Sequence, residues 1–90
     1  MTTEKKKLQP QRSIKPLLKV MREGQVCPDG VVIDINWGAF EVGTSVFIPA
    51  VNLVMLKKQM QILAKRKQMQ IKGFDRIESG KLGMRFWRIL

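Results

Sequence analysis

VNLVMLKKQMQILAKRKQ, residues 51–68, is followed at once by MQIKGFDRIESGKLGMRFWRIL, residues 69–90, and the hydrophobic period changes between the two. In the first stretch Leu53, Leu56, Met60, Leu63 and Ala64 recur every three to four residues, the spacing of one helix face. Lys57, Lys58, Gln61, Lys65 and Gln68 fall on the opposite side and Arg66 on a flank, so the spacing predicts an amphipathic helix from about Ala50 to Gln68. Basic residues near its end also suit the negative pole of the helix dipole. In the second stretch Met69-Gln70-Ile71-Lys72 alternates with the period of a strand. Ser79–Gly83 carries turn residues and Met84–Leu90 forms the return strand of a hairpin. Alternation there sets Arg85, Trp87 and Ile89 on one face and Met84, Phe86, Arg88 and Leu90 on the other. After Gly73 the apolar positions change phase, with Phe74 and Ile77 in a new register, and a β-bulge at Gly73 accounts for the change.

Upstream of the helix, Thr44-Ser45-Val46-Phe47-Ile48 reads as a strand closed by Pro49, which cannot donate to a ladder. Pro28-Asp29-Gly30 is a turn, and the β-branched run Val31-Val32-Ile33-Asp34-Ile35 after it predicts another strand. Asn36–Gly43, with Trp37 and Phe40, connects the two. Ser13 caps a short helix that has Pro16 in its first turn, Leu17, Leu18 and Met21 on its apolar side, and ends at Arg22 before Gly24. Residues 1–12 read as a disordered basic arm. The expectation is a single α+β domain over residues 13–90, in which a small antiparallel sheet packs on one main amphipathic helix with a short N-terminal helix beside it.

Composition narrows the function classes. A hydrophobic content of 44%, including Trp37, Trp87 and four Phe, is enough for a small core. The chain has no histidine and one cysteine, Cys27, so the usual zinc sites lack ligands, no internal disulfide forms, and a Cys–His nucleophile cannot be built. No paired carboxylates suggest acid–base chemistry, and the glycines match no nucleotide-binding loop. The chain therefore reads as non-catalytic and without a cofactor. With no signal-peptide pattern and no apolar run long enough for a bilayer, the expected setting is the cytoplasm.

Net charge is +10 and unevenly spread: +4 over residues 1–15, −2 over residues 16–56 and +8 over residues 57–90. No acidic residue occurs between Lys57 and Gly73, whereas an ordinary solvated helix face mixes both signs. A polyanionic partner follows. The candidate phosphate contacts are Lys57, Lys58, Lys65 and Arg66 on the helix, and Lys72, Arg76, Arg85 and Arg88 on the hairpin. DNA is preferred over RNA, bound without strong sequence preference, and the basic arm adds affinity. Neutralising about 5–8 phosphates would give a salt slope of roughly −4 to −7. Trp87 would stack on an unpaired base if exposed, but a tryptophan in such a strand is more often core under an arginine stem, and it is read so here. A basic surface equally suits docking on an acidic patch of a host polymerase or nuclease, which is the alternative function. Six methionines and a C-terminal strand edge leave a homodimer open, and a membrane partner is not expected.

Two segments carry a family resemblance. Glu41-Val42-Gly43-Thr44-Ser45-Val46-Phe47-Ile48-Pro49, then the basic helix, then Gly83-Met84-Arg85-Phe86-Trp87-Arg88-Ile89, resembles a group of small phage-encoded basic proteins. That group shares a VGDSFFVP-like strand and a closing GVRVWRI-like strand. The likeness spans about residues 36–90, with Thr44 where the group has aspartate and with a longer N-terminal extension. It implies a phage origin, a host-cytoplasm setting, and either an accessory nucleic-acid-binding role or capture of a host enzyme.

Overall fold

The computed structural model describes residues 19–90; the expected basic arm and the start of the short helix lie outside the described residues. The long helix, α1, spans Leu53–Arg66. It begins later than its apolar spacing suggested because Asn52 is the N-cap, its side chain accepting from the Met55 N–H at 3.1 Å. Asp29 holds the residues just before it, its two carboxylate oxygens accepting from the N–H groups of Val51 and Asn52 at 2.7 and 2.8 Å. Leu56, Met60, Leu63 and Ala64 are buried, and Leu53 packs against them from the rim. Each of the larger three contributes about 1.5–3 kcal/mol by leaving water. Gln59 is buried with them and accepts from the Cys27 N–H at 2.8 Å.

Three antiparallel strands follow the order β1-β3-β2, where β1 is Ser45–Pro49, β2 is Ile71–Glu78 and β3 is Lys81–Arg88. The central strand is therefore the last in sequence. The β2–β3 hairpin closes through only two residues, Ser79 and Gly80, at φ 52° and 75°, the left-handed pair that suits strand twist. Lys81, Leu82 and Gly83, expected in the turn, are strand residues. On one side of the sheet Val46, Ile48, Ile71, Met84 and Phe86 meet Leu56, Met60 and Leu63 of α1, with Met21, Val26 and Phe40 completing the core.

Two further expectations are corrected. No bulge interrupts β2: its pairing with β3 runs unbroken from Ile71↔Arg88 to Glu78↔Lys81. Gly73 stays in phase on the core side because the Phe86 ring fills the space a side chain would need; a Cβ there would lie 2.5 Å from Phe86 Cε1. Nor is Val31–Ile35 a strand. Among the described residues a single bridge, Val26↔Ile33, is its only ladder contact, and Val31 and Val32 are 68% and 49% exposed. Asp29 pins the preceding turn to the start of α1, so the run serves the core through Ile33 and Ile35 rather than joining the sheet. The connection after it contains a 3-10 turn, Trp37–Ala39, and Trp37 donates from Nε1 to the Gly24 carbonyl at 2.7 Å. Residues 19–22 are helical as expected and end at Gly24, whose φ is 82°. No helix among the described residues is long and apolar enough to cross a membrane.

Candidate nucleic-acid interface

Because side chains alternate along a strand, whatever does not face α1 stands on the other side of the sheet. The pairing puts Ser45, Phe47 and Pro49 of β1, Lys81, Gly83, Arg85 and Trp87 of β3, and Lys72, Phe74, Arg76 and Glu78 of β2 on that side. Among the described residues no helix or strand packs over it. Every strand contributes one aromatic ring. Phe47 and Phe74 flank Arg85 in one row across the sheet, and Trp87 lies in the adjacent row between Ser45 and Lys72. Phe74 and Trp87 meet edge to face at 5.7 Å, and Phe74 is 51% exposed. None of the three rings belongs to the core or packs against it. Trp87 is thus not a core residue, contrary to the sequence reading. The core side of β3 is already occupied by Met84 and Phe86, and Trp87 has the other parity.

Arg85 organises the centre of this face. Its Nε and Nη2 donate to the two Glu78 carboxylate oxygens at 2.7 and 2.6 Å, and Nη1 donates to Ser45 Oγ at 2.7 Å. Its guanidinium carbon sits 5.9 Å from the Phe47 ring centroid, a cation–π approach. The hydrogen bonds from Arg85 hold the Glu78 carboxyl below its ordinary pKa, and the same bonds raise that of Arg85. Arg76 adds a looser contact, its Nε 3.4 Å from Glu78. Glu78 is the one carboxylate on the face, against the cations Lys72, Arg76, Lys81 and Arg85. Lys72, Arg76 and Lys81 are exposed at the margins, around an aromatic centre.

The eight cations picked from the sequence do not form one surface. Lys72, Arg76 and Arg85 share the open sheet face. Lys57, Lys58 and Lys65 are exposed on the side of α1 turned away from the sheet. Arg66 sits between, its Nη1 donating to the Met21 carbonyl at 3.2 Å. Arg88 is on the core side of β3 and ties the chain together, donating to the Phe40 carbonyl at 2.9 Å and to the Leu90 carbonyl at 3.2 Å. Sequence reasoning missed Phe47 and Phe74, and it left Lys81, a hairpin cation, out of the contact set. The signal for Phe74 was present: strict alternation carried through Gly73 sets Lys72, Phe74 and Arg76 on one side. No family model matches the chain, and no curated protein or solved structure matches it.

Proposed function

We infer that this is a non-catalytic protein that binds single-stranded nucleic acid, DNA in the first instance, on the open face of its sheet and with little sequence preference. The observation that carries this reading is the combination of one aromatic ring on each strand with a cationic margin and, among the described residues, no covering layer. Aromatic rings on a sheet stack unpaired bases whatever their identity, while lysine and arginine at the edges take the phosphates. A paired base offers no such face, so a duplex gains only the electrostatic part. Self-association through the same face is disfavoured, since it would bring two sets of Lys72, Arg76 and Lys81 together. The one hydroxyl at the centre, Ser45, is engaged with Arg85, which leaves little to read a ribose 2′-hydroxyl.

Fluorescence anisotropy with single-stranded DNA, single-stranded RNA and duplex of equal length tests this. Single strands bind more tightly than duplex, and RNA falls within about threefold of DNA. Trp87→Ala and Phe74→Ala each weaken single-strand binding by about 5- to 100-fold, the range for loss of one stacked base, and leave duplex binding unchanged. Neither ring is in the core, so both variants keep the wild-type circular dichroism. A preference for duplex, or alanine variants of wild-type affinity, overturns the reading.

A further inference from the structure

The outward side of α1 presents Lys57, Lys58, Gln61 and Lys65, all exposed, on the side of the molecule away from the aromatic sheet face. This cation surface is unlike an ordinary solvated helix. From Val42 to Phe74 the sequence contains no acidic residue, the first turn of α1 carries no carboxylate to complement its dipole, and none of the three lysines has a carboxylate partner among the described residues. Lys57 and Lys65 lie on one line about 12 Å apart at the helical rise, with Gln61 between them to donate a neutral hydrogen bond. Like charges held this way repel, and a phosphodiester backbone relieves them. The face carries no aromatic ring, so it takes phosphates and not bases.

Resting on the single-strand reading above, we propose that one molecule holds two strands at once and bridges them: one stacked on the sheet, a second bound by its backbone along α1. The two layers of the fold keep the sites apart, so one short strand cannot occupy both. Bridging brings two polyanions into one small volume and screens their repulsion, so complementary strands anneal faster in the presence of the protein.

The experiment mixes donor- and acceptor-labelled oligothymidylates, which cannot pair with each other, and reads energy transfer as protein is added. Wild-type protein produces transfer. The triple variant Lys57→Gln, Lys58→Gln, Lys65→Gln replaces exposed residues by good helix formers, so α1 persists. It keeps wild-type affinity for a hexanucleotide, within about twofold, and loses the transfer. Annealing of complementary strands slows to the protein-free rate in the same variant. Undiminished transfer in the triple variant overturns the proposal and assigns bridging to self-association. A hexanucleotide affinity that falls with the transfer also overturns it, since the two faces would then serve one strand. Absence of hexanucleotide binding by the wild-type protein is the distinct failure of the single-strand reading itself.

Discussion

The salt dependence of binding to a short single strand is set by which cations share a face. Each phosphate neutralised on a single strand contributes a slope of about −0.7 in log K against log salt. The open face offers Lys72, Arg76, Lys81 and Arg85. If all four engage, the slope is about −2.8; if Arg85 keeps Glu78 as its partner, it is about −2.1. All eight cations proposed from sequence would give about −5.6. Between 50 and 300 mM salt these values correspond to affinity losses of roughly 150-fold, 40-fold and 20,000-fold, so the alternatives are far apart. The assay is anisotropy with a hexanucleotide, short enough to stay on one face, at five or more salt concentrations. The double variant Lys72→Gln, Arg76→Gln then flattens the slope by about 1.4. A wild-type slope steeper than about −5 would mean that the helix lysines reach the same strand, and the division of the surface argued here would be wrong. So would an equal flattening on replacing Lys57, Lys58 and Lys65.

Two further variants, Glu78→Gln and Gly73→Ala, probe the face and the strand beneath it. Glu78→Gln releases the guanidinium fork of Arg85, so hexanucleotide affinity rises and the salt slope steepens by about 0.7; unchanged binding would show that Arg85 takes no phosphate. The same variant has a pH signature. The Glu78 carboxyl is depressed in the folded protein by its bonds to Arg85, so its contribution to stability is present above the unfolded carboxylate pKa and fades as pH falls through the lowered folded value. Wild type therefore melts above the variant at neutral pH, and the two melting curves converge in strong acid. A melting gap that persists at the lowest pH refutes the assignment. Gly73→Ala forces a methyl to 2.5 and 2.7 Å from the buried Phe86 ring and 3.2 Å from Met84 Cε. Overpacking of that kind costs about 1–3 kcal/mol, read from the urea midpoint at unchanged m-value. A neutral effect would mean that the ring shifts freely and that Gly73 does not fix the strand's phase.

The helix and the return strand of the hairpin were legible because each repeats one period over several turns or pairs: Leu56, Met60 and Leu63 define a face without outside information. Val31–Ile35 was misread for a physical reason. β-branched composition describes what fits a sheet, but a strand needs an edge to pair with, and the Asp29 carboxylate holds this run at the start of α1 instead. Gln59 interrupts no apolar count and looks like surface; its role appears only once Cys27 is placed beside it, 32 residues away in sequence. The two-sided split of the cations was legible only in part: parity separated Arg85 from Arg88 and the helix spacing set Lys57, Lys58 and Lys65 opposite its apolar side, but parity within the hairpin does not say which face α1 covers.

Two glycines explain why the aromatic face exists. On the core side, Gly73 leaves the room that the Phe86 ring occupies, which allows β2 to pass Phe86 without a bulge. Without that continuity the parity of β2 would reverse, and Phe74 would turn toward α1 rather than stand beside Trp87. On the open side, Gly83 pairs with Pro49 and Arg76 and presents no side chain. A Cβ there would collide with the Ile48 carbonyl and would come within 2.8 Å of Phe47 Cζ, so the Phe47 ring lies over the bare backbone of β3. The ring is thereby held down beside the Arg85 guanidinium. The glycines that looked like turn and bulge signals in the sequence are better understood as the residues that make room for an aromatic ring on each sheet face, Phe86 toward α1 and Phe47 on the other side.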